Sequence, residues 1–183
     1  MLIAERIKRQ SVAAYVLTLW QTEDAIRALG LDIDSVCAKL IDPTGGTGEE
    51  RLQAKEWYES LIMMMRMENA VKGGHLQISK NAVIRLDDLH RELLASDSHP
   101  DYRDKYYSVL PLIVELRAKS GGAPAGEVET CLNALYGVLT LKMRGSEVSQ
   151  ATLQAAERIS GFLELLSHYY KQSETGQAAE PID

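Results

Sequence analysis

The sequence predicts an all-α fold, a single-domain helical bundle of about six long helices and one short helix. Three observations carry this. Apolar residues recur at helical spacing along most of the chain. Capping residues and glycine pairs punctuate those stretches at intervals that suit ordinary helices. No internal repeat occurs, and the only alternating stretch is the short His75–Ile78.

The first helix, from about Leu2 to Gly30, organises the reading. At about 100° per residue, Val12, Val16, Leu19, Trp20 and Ile26 form a broad apolar arc, with Glu23 and Arg27 inside it. Asp24 lies between Trp20 and Leu17, leaving a polar strip of only Ala14, Thr18, Gln21 and Ala25. A helix apolar over most of its circumference has neighbours on several sides, so this one belongs near the centre. Ile3, Ile7 and Ala14 form a second apolar strip, to be covered by the C-terminal helices or by a second subunit. Gly30 is a natural stop.

Asp32 caps a short helix, about Ile33–Ile41, which Asp42-Pro43-Thr44-Gly45-Gly46 ends. Thr47 and Glu50 have capping-box spacing and start a third helix reaching about Lys72, stopped by Gly73-Gly74. Its inner face is Trp57, Leu61, Met64, Met65 and Val71, with Glu68 close to the centre of that face and Met63 turned outward. After the extended link His75–Ile78, Ser79 caps a fourth helix to about Ser96, where His90 projects between Leu86 and Val83. The fifth helix starts near Pro100 and runs to Ser120 before Gly121-Gly122. Pro111 inside it predicts a kink or break, and Arg117 projects on its apolar side, next to Tyr106 and Leu110. The sixth, about Gly126–Arg144, buries Val128, Cys131, Leu132, Leu135, Leu139 and Met143, with Glu127 and Glu129 at the end where the helix dipole favours them. The seventh begins near Ser149, carries Ile159, Phe162, Leu163, Leu166 and Tyr170 inward and His168 to solvent, and ends at Lys171. The helical domain is thus 1–171, and 172–183 is a disordered tail with nothing to bury.

A chain of 183 residues, 45% hydrophobic, can bury a real core. A net charge of -6 without a concentrated run of Lys or Arg argues against nucleic acid and against an anionic membrane surface. Lys8 and Arg9 before an apolar run imitate a signal peptide, but Glu5 sits in the charged region and no A-x-A site follows. The charge-free run Gln10–Thr22 is shorter than the roughly 18 residues of a membrane span. Cys37 and Cys131 lie among apolar residues and read as reduced thiols, so the expected location is cytoplasmic.

Five strings taken together, AAYVLTLWQTEDAIRAL, GGHLQISKN, LPLIVELRAKSGG, EVETCLNALYGVL and FLELLSHYYK, carry a family likeness. The chain resembles, from Met1 to about Lys171, an uncharacterised family of all-helical bacterial proteins catalogued only as a domain of unknown function. The resemblance implies a helical fold and no activity, so no catalytic residue transfers with it.

The inward charges are the candidate site: Glu23, Asp24 and Arg27 on the first helix, Glu68 on the third, His90 with Asp87 on the fourth, and Arg117 on the fifth. Read structurally, Glu23 and Arg27 have the favourable four-residue order and, with Glu68 and Arg117, complete a buried ionic network, because an unpaired buried charge costs several kcal/mol. Read functionally, the two arginines clamp a carboxylate or phosphate while Glu68 or His90 serves as acid or base. A carboxylate-bridged metal centre needs two Glu-x-x-His-type spacings; Asp87 with His90 supplies one and no second exists, so neither metal nor cofactor is expected. No phosphate loop and no nucleophile elbow occurs. The leading reading is a non-catalytic helical interaction or regulatory protein, with a protein partner or a homodimer both open. The alternative is a small-molecule binder or enzyme using the inward cluster.

Overall fold

The computed structural model describes residues 3–119 and 125–176. Among them the chain is all-α, without a strand: α1 Ile3–Gln10, α2 Val12–Ala28, α3 Ile33–Val36, α4 Gly48–Met67, α5 Gln77–Ala95, α6 Pro100–Lys119, α7 Glu127–Met143 and α8 Gln150–Thr175. A wider π-helical turn, Cys37–Ile41, and a 3-10 turn, Asp42–Thr44, follow α3. None of these helices is long and apolar enough to cross a membrane. Contacts divide the chain into two compact units, one of α1 to Arg9 with Ala14–Ala82, the other of Gln10–Ala13 with the chain from Val83 onward.

The helix expected to run unbroken from Leu2 is interrupted at Ser11, between α1 and α2. The amide of Ala13 donates to Ser167 Oγ at 3.2 Å, and Ser11 Oγ donates to the same atom at 3.2 Å. A serine on α8 thus takes the amide that a continuous helix would bond within its own ladder.

In the first unit, Tyr15, Leu19 and Ile26 of α2 pack with Leu61, Ile62 and Met65 of α4, and Ile7 of α1 lies against the same core. So Ile7, from the expected second strip, is half-covered by the core of its own unit. Helix α2 stops where Gly30 takes φ +69 and Leu31 donates to the Ile26 carbonyl at 3.0 Å, which puts Leu31 in the core. The Asp32 cap forms, accepting from Ser35 N at 2.9 Å, and so does the Thr47–Glu50 capping box.

Helix α4 ends at Met67, five residues short of the expected Lys72. Asn69 takes φ +57, and Ala70 donates to the Met65 carbonyl at 2.8 Å, a left-handed stop made by asparagine where the sequence offered glycines further on. Glu68 therefore caps the helix and is exposed, and Val71 is 40% exposed. Helix α5 begins at Gln77, so Gln77 and Ile78 are helical rather than extended. Ser79 lies inside the first turn, its buried hydroxyl donating to the Leu76 carbonyl at 2.9 Å.

In the second unit α6, α7 and α8 pack on one another. Helix α6 continues through Pro111 without the expected break. Pro111 is exposed and Tyr107 is 60% exposed, so the carbonyl that proline leaves unpaired is on the wet face of the helix. Arg117 is 45% exposed at its side chain, and the expected stop at Gly121-Gly122 lies outside the described residues. Met143 is 73% exposed rather than buried. Ser149 caps α8, which runs to Thr175, four residues past Lys171, before Gly176 ends it at φ +66. The rest of the expected tail, from residue 177, lies outside the described residues. Tyr169, not Tyr170, is the ring in the core, and His168 is half-buried.

Candidate functional site

Helix α2 carries Glu23 on its apolar arc, and the carboxylate is fully buried. One oxygen accepts from Leu76 N at 3.2 Å; the other lies 2.8 Å from His75 Nδ1 and 3.8 Å from the Arg27 guanidinium. Arg27, one turn on and 15% exposed at its side chain, donates to the Ala70 carbonyl at 3.0 Å, to Asp24 Oδ1 at 2.7 Å and to the Gly74 carbonyl. Acid and base of α2 together hold the link between α4 and α5, residues 70–76. The His75 ring stacks on Trp20, centroids 4.3 Å apart and planes 19° from parallel. Glu68 stands outside this ion group: its Oε2 accepts from Gln77 N at 2.6 Å, satisfying an amide at the start of α5 where a negative charge also suits the helix dipole.

His90, in the second unit, is 2% exposed. Its Nδ1 lies 2.7 Å from Tyr102 Oη and its Nε2 3.2 Å from Glu127 Oε2, with Tyr106 and Phe162 at its ring edges. The other Glu127 oxygen is 3.9 Å from Arg117. Burial drives the Tyr102 hydroxyl and the Cys131 thiol upward, the thiol to about 12, with the Glu127 charge adding to both. Burial, then a hydrogen bond to Glu127, pushes Tyr106 up to about 12. Asp87 lies against the backbone of Gly126, at the N-terminus of α7: a Cβ there would stand 2.9 Å from Asp87 Oδ1.

Five of the seven expected residues thus fall into two networks rather than one. Glu23, Asp24 and Arg27 meet in the first unit, with Glu68 at the same α4–α5 link but on its own bond. His90 and Arg117 meet through Glu127 in the second. The sequence reading missed His75, Tyr102 and Glu127 as partners. His75 sits in a link without periodicity, so no helical projection could aim it, and Glu127 carried only the dipole signal.

Chemically, both Glu23 oxygens face groups of the protein, and both His90 nitrogens are engaged. An acid or base must reach the proton it moves, and the contacts described for these two run to groups of their own fold. No group of three metal-ligating side chains occurs among the described residues. Surface clefts of about 360, 330 and 420 Å³ are lined by none of the seven.

The family model of a domain of unknown function, DUF4924, matches residues 1–177. The chain belongs to this family. The likeness read from the five strings therefore stands, and it extends past the expected Lys171. Neither the curated proteins nor the solved structures give a match. DUF4924 brings no activity with it, so the roles of Glu23, Arg27 and His90 rest on their geometry alone.

Proposed function

We propose that the chain is a non-catalytic helical interaction protein of the cytoplasm, whose inward charges are ties within the fold. The observation that carries the interaction is the outer face of α6. Tyr107 and Val114 are 60% and 59% exposed, and Pro111 is exposed between them, at the i, i+4, i+7 spacing of one helix face. A row of apolar side chains left in water on one helix face is a surface that another protein would cover with a gain in burial. The sealed carboxylate of Glu23 weighs against the alternative of a ligand held by the charged cluster. Two free cysteines, Cys37 and Cys131, suit a reducing compartment.

The test is a Tyr107→Asp, Val114→Asp double variant beside the wild type. Sedimentation across concentration reads self-association, and crosslinking in cell extract reads partners. The expected result is a loss of self-association, or of a crosslinked partner, with the helical circular dichroism unchanged. Association and crosslinks identical in both proteins would overturn the proposal.

A further inference from the structure

Outside these networks a cleft of about 360 Å³ opens in the first unit, a size within the range of small-ligand sites. Helix α4 lines it with Trp57 and Tyr58, α2 with Thr18 and Thr22, and the turn after α3 with Leu40 and Ile41. The two aromatic rings meet edge to face, centroids 4.9 Å apart. Burial raises the Tyr58 hydroxyl, which therefore stays neutral.

Its polar groups select by what they have left to offer. Thr18 Oγ1 donates to the Ala14 carbonyl at 2.8 Å, and Thr22 Oγ1 to the Thr18 carbonyl at 2.8 Å. With their protons committed to the helix, both hydroxyls have only lone pairs for a ligand. Arg51 at the rim is already paired with Asp42, and the Glu50 carboxylate beside it accepts from the Thr47 amide and hydroxyl. An anionic ligand would have to displace Asp42 from Arg51 and would face the Glu50 charge. A neutral one with a donor would not.

We infer that this cleft binds a flat, uncharged heteroaromatic molecule carrying an N–H donor, its ring against Trp57 and its N–H toward the Thr18 or Thr22 hydroxyl. The site shares no residue with the Glu23 network, the His90 network or the outer face of α6.

Indole is the probe, and 1-methylindole, of the same shape without the donor, is its control. Both are titrated into the full ¹⁵N-labelled chain and followed by NMR. Indole is expected to move the Trp57 side-chain N–H and the amides of Thr18 and Thr22. 1-Methylindole should bind roughly three- to tenfold more weakly, the loss of one hydrogen bond. A Thr18→Val, Thr22→Val variant, checked for an unchanged thermal midpoint, should lower indole affinity by the same factor and leave 1-methylindole untouched. Equal binding of the two probes, shifts mapping away from the cleft, or no shift at millimolar indole would overturn the assignment.

Discussion

Glu23→Ala is the substitution whose cost can be worked from contacts. Removing the carboxylate strands the amide of Leu76, a residue with no exposure, and an unsatisfied buried donor costs about 1–3 kcal/mol. Arg27 is not stranded, because Asp24 and the carbonyls of Ala70 and Gly74 still hold it. His75, with 30% of its side chain exposed, can turn to water. The total therefore falls at the low end of the range for breaking a buried ion pair, about 3 kcal/mol. For a chain of this length that is a fall in Tm of roughly 6–12 °C. Glu23→Gln keeps one acceptor for Leu76 and should cost about 1–2 kcal/mol, the difference between a charged and a neutral hydrogen bond. Urea unfolding at pH 7 and thermal melts read both, and amide exchange at Leu76 should quicken in the alanine variant first. An alanine variant within about 0.5 kcal/mol of the wild type, the range of ordinary surface changes, would refute the reasoning.

Three further outcomes follow from local geometry. Gly126→Ala places a Cβ 2.9 Å from Asp87 Oδ1, the end of a side chain that can turn aside, so it should destabilise by about 1 kcal/mol at most, and Asp87→Ala should relieve most of that in a double-mutant cycle. Asn69→Gly should raise stability by a few tenths of a kcal/mol to about 1, because φ +57 costs glycine nothing, whereas Asn69→Val should lower it; melts of the two variants check the sign. The Cys131 thiol is held at about 12 in the fold, against about 8.5 in an unfolded chain. Above about pH 8.5 the unfolded chain therefore binds fewer protons than the folded one, and stability falls as pH rises toward 12. Cys131→Ala should flatten that fall between about pH 8.5 and 10, below the range where the raised tyrosines Tyr58, Tyr102, Tyr106 and Tyr169 add their own, as urea midpoints across pH would record.

The helical class was legible because it is written in local signals. Asp32, Thr47 with Glu50, and Ser149 each bond an amide within three residues, so the signal is local, although Ser79, of the same type, lies inside α5 instead. The arc of α2 likewise put Glu23 in the interior before any neighbour was known. Where a boundary was misplaced, a distant group or an unexpected residue type had decided it. Ser167 breaks the first helix from more than a hundred and fifty residues away. Asn69 ends α4 in a conformation more often taken by glycine, and that single stop moved Glu68 from the centre of an apolar face to an exposed cap.

By itself, then, the sequence determined that this chain is helical, where most helices start, and that Glu23 and His90 face inward, since periodicity and capping are properties of neighbours in the chain. Only the tertiary structure decided what those inward groups meet. It gave Glu23 to His75 and the Leu76 amide, gave His90 to Tyr102 and Glu127, and left Arg117 at the surface. A helical wheel fixes direction but not partner, and the partner of a buried charge is set by which loops and helix ends packing brings within about 3 Å.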